Sequence, residues 1–466
     1  MSSAFVMAEE PLDPWEGPSA MRVRHHDTPL VPDDDQDDES SRFDLAATSA
    51  EEPAENSHFR DAWDPATPAT GPPAWQPALA GPLFDWSKYP TAALTGFFQA
   101  DAAWFNQDEA NRRAVGDVPN GADFRRARLA AKGDAWDNVG YMLEMDFAFP
   151  GRPSFMDVYL DIRDVPHLGT VRIGQFRQPF GMDSMTSVRE LWFLERALPF
   201  AFVPFRQIGV GFFDHSEDER ATWALSAFRF PTDVFGTNVG DSGGYGLAGR
   251  ATYLPWYDEQ RHELLHVGFD YSLGDPSNDV VRYRNQPELF VGETGGSNIG
   301  AVPGNVPFFV DTGVVPTDMF NLFGVEFGAQ RGPAHAQAEV FWAVVDPVGG
   351  DQVAFPGAYA QLGYVLTGES HDYSTTQGVF QRVEPHQSVG RAGGIGAWEI
   401  VGRWSYIDLN DAPVQGGRLT DLTAGLNWYL NPFTKFQFNY IHAFLGERTQ
   451  GDSNADIVAV RAQLDF

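Results

Sequence analysis

From Leu94 to the last residue, polar and apolar positions alternate over stretches of about ten residues, broken by clusters of Gly, Pro, Asn and Asp. In 139–149, Val139, Tyr141, Leu143, Met145, Phe147 and Phe149 share one face, and Gly140, Met142, Glu144, Asp146 and Ala148 share the other. The next segment sets Met156, Val158, Leu160 and Ile162 against Asp157, Tyr159, Asp161 and Arg163, and the pattern recurs at 264–272, 334–344, 358–367, 398–406, 420–429, 433–442 and 457–466. A period of two is the period of an extended strand, so each segment is predicted to be a strand with one apolar and one polar face.

Alternation fits a soluble sandwich and a membrane barrel equally, and three further features separate them. Rings crowd the strand ends (Trp342, Trp398, Trp404, Trp428, Tyr429, Phe436, Phe438, Tyr440), as in interfacial aromatic girdles. Short turns such as Asn431-Pro432 alternate with long polar loops at 285–318 and 368–396, which reads as short periplasmic turns and long external loops. The chain stops at Phe466 with Val458, Val460, Ala462 and Leu464 on the same face, similar to the C-terminal strand of bacterial outer-membrane barrels. The predicted fold is all-β: a transmembrane antiparallel β-barrel of about 16 strands over 91–466. Residues 1–90 are Pro-rich and acidic (Asp33-Asp34-Asp35-Gln36-Asp37-Asp38-Glu39), lack apolar periodicity, and are expected to form a disordered acidic N-terminal tail.

Composition narrows the function. No run of eighteen apolar residues occurs, so no helix is expected to span a membrane, and a mean hydropathy of -0.30 does not argue against alternating strands. The first ten residues offer only the short apolar stretch Ala4-Phe5-Val6-Met7-Ala8, which reads as a trimmed or mis-started precursor. The absence of cysteine is compatible with an oxidising compartment and removes thiolate chemistry. A net charge of -32 argues against nucleic acid as a partner. Lys88, Lys132 and Lys435 are the only lysines, so nearly all positive charge is guanidinium, the planar fork that pairs with phosphate or carboxylate oxygens.

Motifs that suggest enzymes do not fit their context. His262-Glu263-Leu264-Leu265-His266 has HExxH spacing, but it opens an alternating stretch, and four strand residues would hold the imidazoles about 13 Å apart. Gly244, Gly246 and Gly249 satisfy GxGxxG but enter a strand instead of opening a helix. No GxSxG elbow or P-loop occurs, and Glu144/Asp146 and Asp157/Asp161 read as wet lumen side chains. No catalytic set, metal or cofactor is expected. The informative charges are cations at lumen parity: Arg126, Arg128 and Lys132 on one strand, then Arg172, Arg250, Arg282, Arg284, Arg403 and Arg461. Spaced guanidiniums, none binding too tightly, could relay an anion, although any wet barrel lumen carries scattered arginines opposite carboxylates.

Phe124-Arg125-Arg126-Ala127-Arg128-Leu129, Tyr141-Met142-Leu143-Glu144, Gly174-Gln175-Phe176-Arg177-Gln178-Pro179-Phe180-Gly181 and Phe193-Leu194-Glu195-Arg196-Ala197-Leu198-Pro199 follow one another in the chain. Later come Gly357-Ala358-Tyr359-Ala360-Gln361-Leu362-Gly363-Tyr364, Leu366-Thr367-Gly368-Glu369, Gly396-Ala397-Trp398-Glu399 and Gly425-Leu426-Asn427-Trp428-Tyr429-Leu430-Asn431-Pro432. This order of motifs resembles the phosphate-selective porin O and P family over about 90 to 466. The resemblance implies a sixteen-stranded homotrimer in outer-membrane lipid, with a loop folded inward to narrow the pore and arginines lining a path for small anions such as phosphate. The inward loop would be 177–206, carrying Arg177, Arg189, Arg196 and Arg206, with Ser187 to Phe200 as a short constriction helix because Arg189 and Arg196 have helical spacing. The near absence of lysine departs from the family, whose members gather anions at the entrances with lysines. The expected function is passive diffusion of phosphate or polyphosphate; the alternatives are a general porin without anion preference and an outer-membrane barrel enzyme.

Overall fold

The computed structural model describes residues 88–148, 153–233, 235–240, 243–291, 306–390, 393–446 and 451–466. The predicted acidic tail therefore lies outside the described residues, save 88–90. Sixteen strands form the wall: β1 (Ala93–Gln107), β2 (Gly121–Trp136), β3 (Val139–Asp146), β4 (Ser154–Val165), β5 (Gly169–Arg177), β6 (Arg206–His215), β7 (Ala221–Arg229) and β8 (Tyr245–Asp258). Then follow β9 (Glu263–Asp275), β10 (Val315–Arg331), β11 (Ala334–Pro347), β12 (Val353–Val365), β13 (Ala397–Asp411), β14 (Val414–Asn431), β15 (Thr434–Gly446) and β16 (Ser453–Asp465). Each strand pairs antiparallel with its neighbour in the chain, and β16 pairs with β1 from Phe97↔Asp465 to Gln107↔Ala455, closing the barrel. Closure leaves no strand edge without a ladder partner.

Burial runs opposite to that of a soluble sheet. On β10, Phe323, Val325 and Phe327 are exposed, whereas Glu326 and Gln330 between and beyond them are buried. Likewise Trp223, Phe269, Leu362, Trp404 and Val458 face outward, while Asp101, Arg126, Glu399, Asn427 and Arg461 face the lumen. A wall with apolar side chains outside and charges inside is stable only with hydrocarbon around it. Tyr429, expected in the outer girdle, instead points inward and donates its hydroxyl hydrogen to Glu399 at 2.8 Å.

The loops differ from expectation in where they open. Strand direction puts 276–314 at one end of the barrel but 366–396 at the other, the end where β16 finishes and where single turns join β10 to β11 and β14 to β15. The two long loops are thus not both on the side opposite the short turns. The later one carries a hairpin, His371–Ser374 paired with Val379–Val383, that folds into the barrel. In the earlier one, Arg284–Asn285 pairs with Val310–Asp311. Arg282 and Arg284 therefore sit on a loop and not on a wall strand. β9 ends at Asp275, and Pro276 with the left-handed Asp279 (φ 53°) turns the chain away.

The lumen is largely filled. Phe180, Leu198 and Phe202 of the segment after β5, and Tyr283 and Phe309 of the 276–314 loop, pack on lumen-facing Phe320, Phe341, Phe355, Ile407 and Leu419. This apolar core occupies the β10–β15 side at the end opposite the inserted hairpin.

Candidate functional site

The segment between Arg177 and Arg206 crosses the barrel. Gly181 (φ 73°) turns it inward, and the one-turn helix Met182–Met185 follows. Its free N–H groups meet carboxylates from the far wall: Asp270 accepts from Gly181 N at 3.0 Å, and Glu339 accepts from Met182 N at 2.6 Å and Asp183 N at 3.0 Å. A 3-10 turn, Leu198–Phe202, then rests on β12 opposite Gly357, where a Cβ would stand 2.9 Å from the Phe202 ring and 3.0 Å from Pro199. That glycine is what lets the loop reach the wall.

The predicted helix over Ser187 to Phe200 does not form; the stretch from Ser187 to Ala197 is irregular, and its carbonyls are used by the wall instead. Gln99 donates to Val188 O (3.1 Å), Gln463 to Arg189 O (3.1 Å), Gln437 to Leu191 O (3.1 Å), Asn427 to Trp192 O (2.8 Å) and Arg403 to Glu195 O (3.0 Å), and Arg461 donates to Leu194 O. A helix would spend these carbonyls on its own N–H groups, whereas an irregular strip offers them to a ring of lumen side chains.

Glu195 is the hub of that attachment. Its carboxylate accepts from Arg125 (3.0 Å), from Arg126 through both oxygens (3.0 and 2.8 Å) and from Arg461 (2.7 Å), and Arg461 is also bidentate to Asp101 at 2.7 and 2.6 Å. Burial alone would push the Glu195 carboxyl up, but Arg125, Arg126 and Arg461 outweigh it and hold it well below the usual carboxylate range. Arg196, on the same loop, donates to the carbonyls of Asp183 (2.9 Å) and Thr186 (2.7 Å), and Arg177 donates to those of Met185 (2.7 Å) and Thr186 (2.8 Å). Among the described residues neither makes an ion pair with a carboxylate. Burial pushes the Arg196 guanidinium down; Asp183 opposes this, and Arg177, Arg126 and Arg206 add to it. Arg126, Arg177, Arg196 and Arg206 are therefore neighbours, and the loop root concentrates guanidinium charge.

The other predicted cations are distributed as follows. Arg128 bonds Asp146 at 2.7 Å, Arg172 is bidentate to Asp161 at 2.8 Å, and Arg206 is bidentate to Asp157 at 3.1 and 2.8 Å. Across the lumen, Arg250 is bidentate to Glu326 at 2.7 and 2.8 Å, and Arg403 binds Glu288 with its Nε at 2.9 Å. Arg282 binds Asp311 at 2.9 and 2.7 Å, Arg284 lies over Phe308, and Arg189 lies over Phe97. Lys132 is exposed. The candidates thus fall into buried fasteners of the inward segments (Arg126, Arg250, Arg403, Arg461) and carboxylate-paired ones on the wall of β2 to β6, of which Arg172 is the most exposed. On that wall the Arg172 and Asp161 side chains are 25% and 17% exposed, against 0% for Glu326 and Glu399 opposite, while Arg128 and Arg206 are 8% exposed.

A second inward segment meets the first. The hairpin from the 366–396 loop puts Phe380 and His371 against Trp192, with ring centroids 5.5 and 5.3 Å apart, and Arg382 donates to Glu190 at 2.7 Å. Nothing in the local sequence of 366–396 signals this, because the burial of Phe380 depends on a Trp nearly two hundred positions earlier. The HExxH pair is not a site: His262 is in a left-handed turn, and His266, on β9, lies 2.9 Å from Glu326.

A family model described as phosphate-selective porin O and P matches residues 93–466. A protein of Caulobacter vibrioides, itself uncharacterized, is 30% identical over 363 residues, covering 74% of this chain and 68% of its own. Porin O of Pseudomonas aeruginosa is 27% identical over 401 residues, covering 80% of this chain and 88% of its own. Among solved structures, an anion-selective porin from Comamonas acidovorans superposes with a TM-score of 0.46 at 13% identity, covering 81% of this chain and 99% of that one.

Proposed function

The chain belongs to the phosphate-selective porin O and P family, and from that premise we propose that its pore carries small oxyanions, phosphate or polyphosphate, by passive diffusion along β2 to β6. It is a porin channel of the bacterial outer membrane. The reading of its selectivity rests on one observation: the wall that carries the exposed Lys132 and the part-exposed Arg172 also carries Arg177, which with Arg196 bonds backbone carbonyls and makes no ion pair among the described residues. A phosphate ion entering there sheds water and regains hydrogen bonds from planar forks, while chloride gains less from the same geometry. In this reading the homotrimer places three such passages side by side, and the acidic remainder of the surface plays no part in selection.

A second reading has its own support. Arg128, Arg172 and Arg206 are each bonded to a carboxylate, so the passing ion meets paired charges and the pore is a general one. Charge-balanced variants decide between the two: Arg172→Gln with Asp161→Asn, and Arg206→Gln with Asp157→Asn. Each removes a fork without orphaning its partner. In planar bilayers the oxyanion reading expects phosphate block of chloride current to weaken by about 10- to 100-fold, from roughly 1.5–3 kcal/mol per charged hydrogen bond. Block unchanged in both variants, or absent from the wild type, establishes the general pore. Heat-modifiable mobility of the detergent-purified protein reads the trimer.

A further inference from the structure

Three buried side chains converge where β16 finishes, away from the arginine wall: His335 near the start of β11, Glu399 near the start of β13, and His371 at the start of the inserted hairpin. Nε2 of His335 lies 2.8 Å and Nε2 of His371 2.7 Å from the same oxygen, Oε1 of Glu399, with all three side chains at 0% exposure. The second nitrogen of each ring faces a backbone carbonyl: Nδ1 of His371 is 2.6 Å from Gln381 O, and Nδ1 of His335 is 3.3 Å from Pro333 O. A carbonyl only accepts, so each Nδ1 carries the hydrogen. In neutral rings the Nε2 lone pair of His371 then points at the carboxylate oxygen, while Nε2 of His335, though 2.8 Å from the same oxygen, is not aligned with it and has no hydrogen-bond partner. Three acceptors crowded together in a buried site are relieved by a cation between them.

Two protons could supply the charge, but they would create two imidazoliums with ring centroids 4.4 Å apart in a dry site. One divalent ion supplies it with both rings neutral. The surroundings are those of a ligand set held in place. Asn427 and Tyr429 donate to the other carboxylate oxygen of Glu399 at 2.7 and 2.8 Å, and both Nδ1–H groups are anchored on backbone. Gly363 pairs with His335 across β11 and β12, and a Cβ there would stand 2.1 Å from Nε2, so the glycine keeps that nitrogen clear. The Trp192 ring covers both imidazoles, with centroids 4.3 and 5.3 Å away.

We propose that His335, His371 and Glu399 bind a divalent transition ion of the zinc class, which fastens the inserted hairpin to the barrel wall. Two nitrogens and one carboxylate oxygen are a zinc-type donor set and suit calcium or magnesium poorly. Zinc holds such ligands at about 2.0–2.1 Å in tetrahedral array, which places ligand atoms about 3.3 Å apart and asks each imidazole to move back by about half an ångström. The fourth position goes to water. Because two ligands belong to wall strands and one to the hairpin, the ion crosslinks the loop to the wall beside Trp192 of the 177–206 segment.

The test uses the full-length trimer in detergent, stripped with EDTA, dialysed, and titrated with Zn²⁺ by calorimetry and with Co²⁺ by visible absorption. One ion per chain with a tetrahedral cobalt spectrum is expected, and His371→Gln, Glu399→Gln and Gly363→Ala should each lower affinity by at least about 100-fold, beyond the 10- to 100-fold typical of outer-shell changes. Zn²⁺ should also slow hydrogen exchange of 371–383 in the wild type and not in His371→Gln. If the folded wild type binds no stoichiometric ion, or if His371→Gln and Gly363→Ala bind as the wild type does, the site does not exist. Should Glu399→Gln fail to assemble, His371→Gln decides, since its residue lies on the hairpin and not on a wall strand. None of these readouts involves ion selectivity, so this inference and the oxyanion reading fail separately.

Discussion

Replacing Glu195 by glutamine removes one charge and almost no volume from the attachment of the inward segment. The wild-type carboxylate neutralises guanidiniums from Arg125, Arg126 and Arg461 through four hydrogen bonds of 2.7 to 3.0 Å, all sheltered from solvent. Removing one partner from a buried ionic cluster costs about 3–5 kcal/mol, because the remaining charges stay desolvated. At about 1.4 kcal/mol per tenfold, the released form gains roughly two to three and a half powers of ten relative to the docked form. Docking does not vanish, since Gln99, Asn427, Gln437 and Arg403 still hold the carbonyls of Val188, Trp192, Leu191 and Glu195. Single-channel recordings of Glu195→Gln should therefore show brief excursions to a larger conductance on a main level shifted toward anions. The pH dependence follows from the same bonds. The folded carboxyl is held below its unfolded value of about 4.3, so its contribution is fully present above that value and lost as pH falls through the lower folded one. The wild type should thus record as a steady pore from pH 8 to about 5 and acquire the excursions only under stronger acid. A variant whose conductance histogram, reversal potential and thermal unfolding match the wild type would refute the role of Glu195 as the hub.

Two further outcomes are expected. Gly357→Val should expel the Leu198–Phe202 turn from β12, since even a Cβ meets Phe202 at 2.9 Å; overpacking of this kind costs about 1–3 kcal/mol, and it is read as raised conductance with unchanged yield of folded barrel. Removal of residues 1–87 should leave a barrel that inserts into bilayers with wild-type conductance, because the wall begins at Ala93; loss of insertion would place a structural role in the deleted stretch.

The barrel was legible because its signal is local and repeated. Each strand shows the outward apolar face within about ten residues, and β9 or β16 could be placed without knowing its neighbours, although β10 was not. The interior was less legible. A long polar loop reads the same whether it faces out or folds in, and the inserted hairpin of 371–383 depends on Trp192 for its apolar contacts. The constriction helix failed for a related reason: the spacing of Arg189 and Arg196 is helical by coincidence, and the carbonyls between them satisfy Gln463, Gln437, Asn427 and Arg461 on the wall. On the strands Arg126, Arg250, Arg403 and Arg461 are buried on the lumen side, whereas parity has no meaning for Arg282 and Arg284 because β9 ends at Asp275.

Charge shows most clearly what a sequence conceals. A chain of net charge -32 argues against an anion path only if charge is averaged over the molecule, and an ion in the lumen meets a local field instead. What sets that field is pairing: Arg126 with Glu195 across 69 positions, Arg250 with Glu326 across 76, Arg403 with Glu288 across 115, and Arg461 with Asp101 across 360. No window along the chain contains both members of such a pair. Arginines with a buried carboxylate partner act as fasteners, and their charge is largely spent on holding the inward segments. Those bonded to backbone carbonyls, Arg177 and Arg196, retain theirs, because a carbonyl dipole satisfies the hydrogen bonds without cancelling the ion. The distinction between a guanidinium that holds the pore together and one that an anion can feel is therefore a distinction between partners, and the same residue type at the same strand parity serves either purpose.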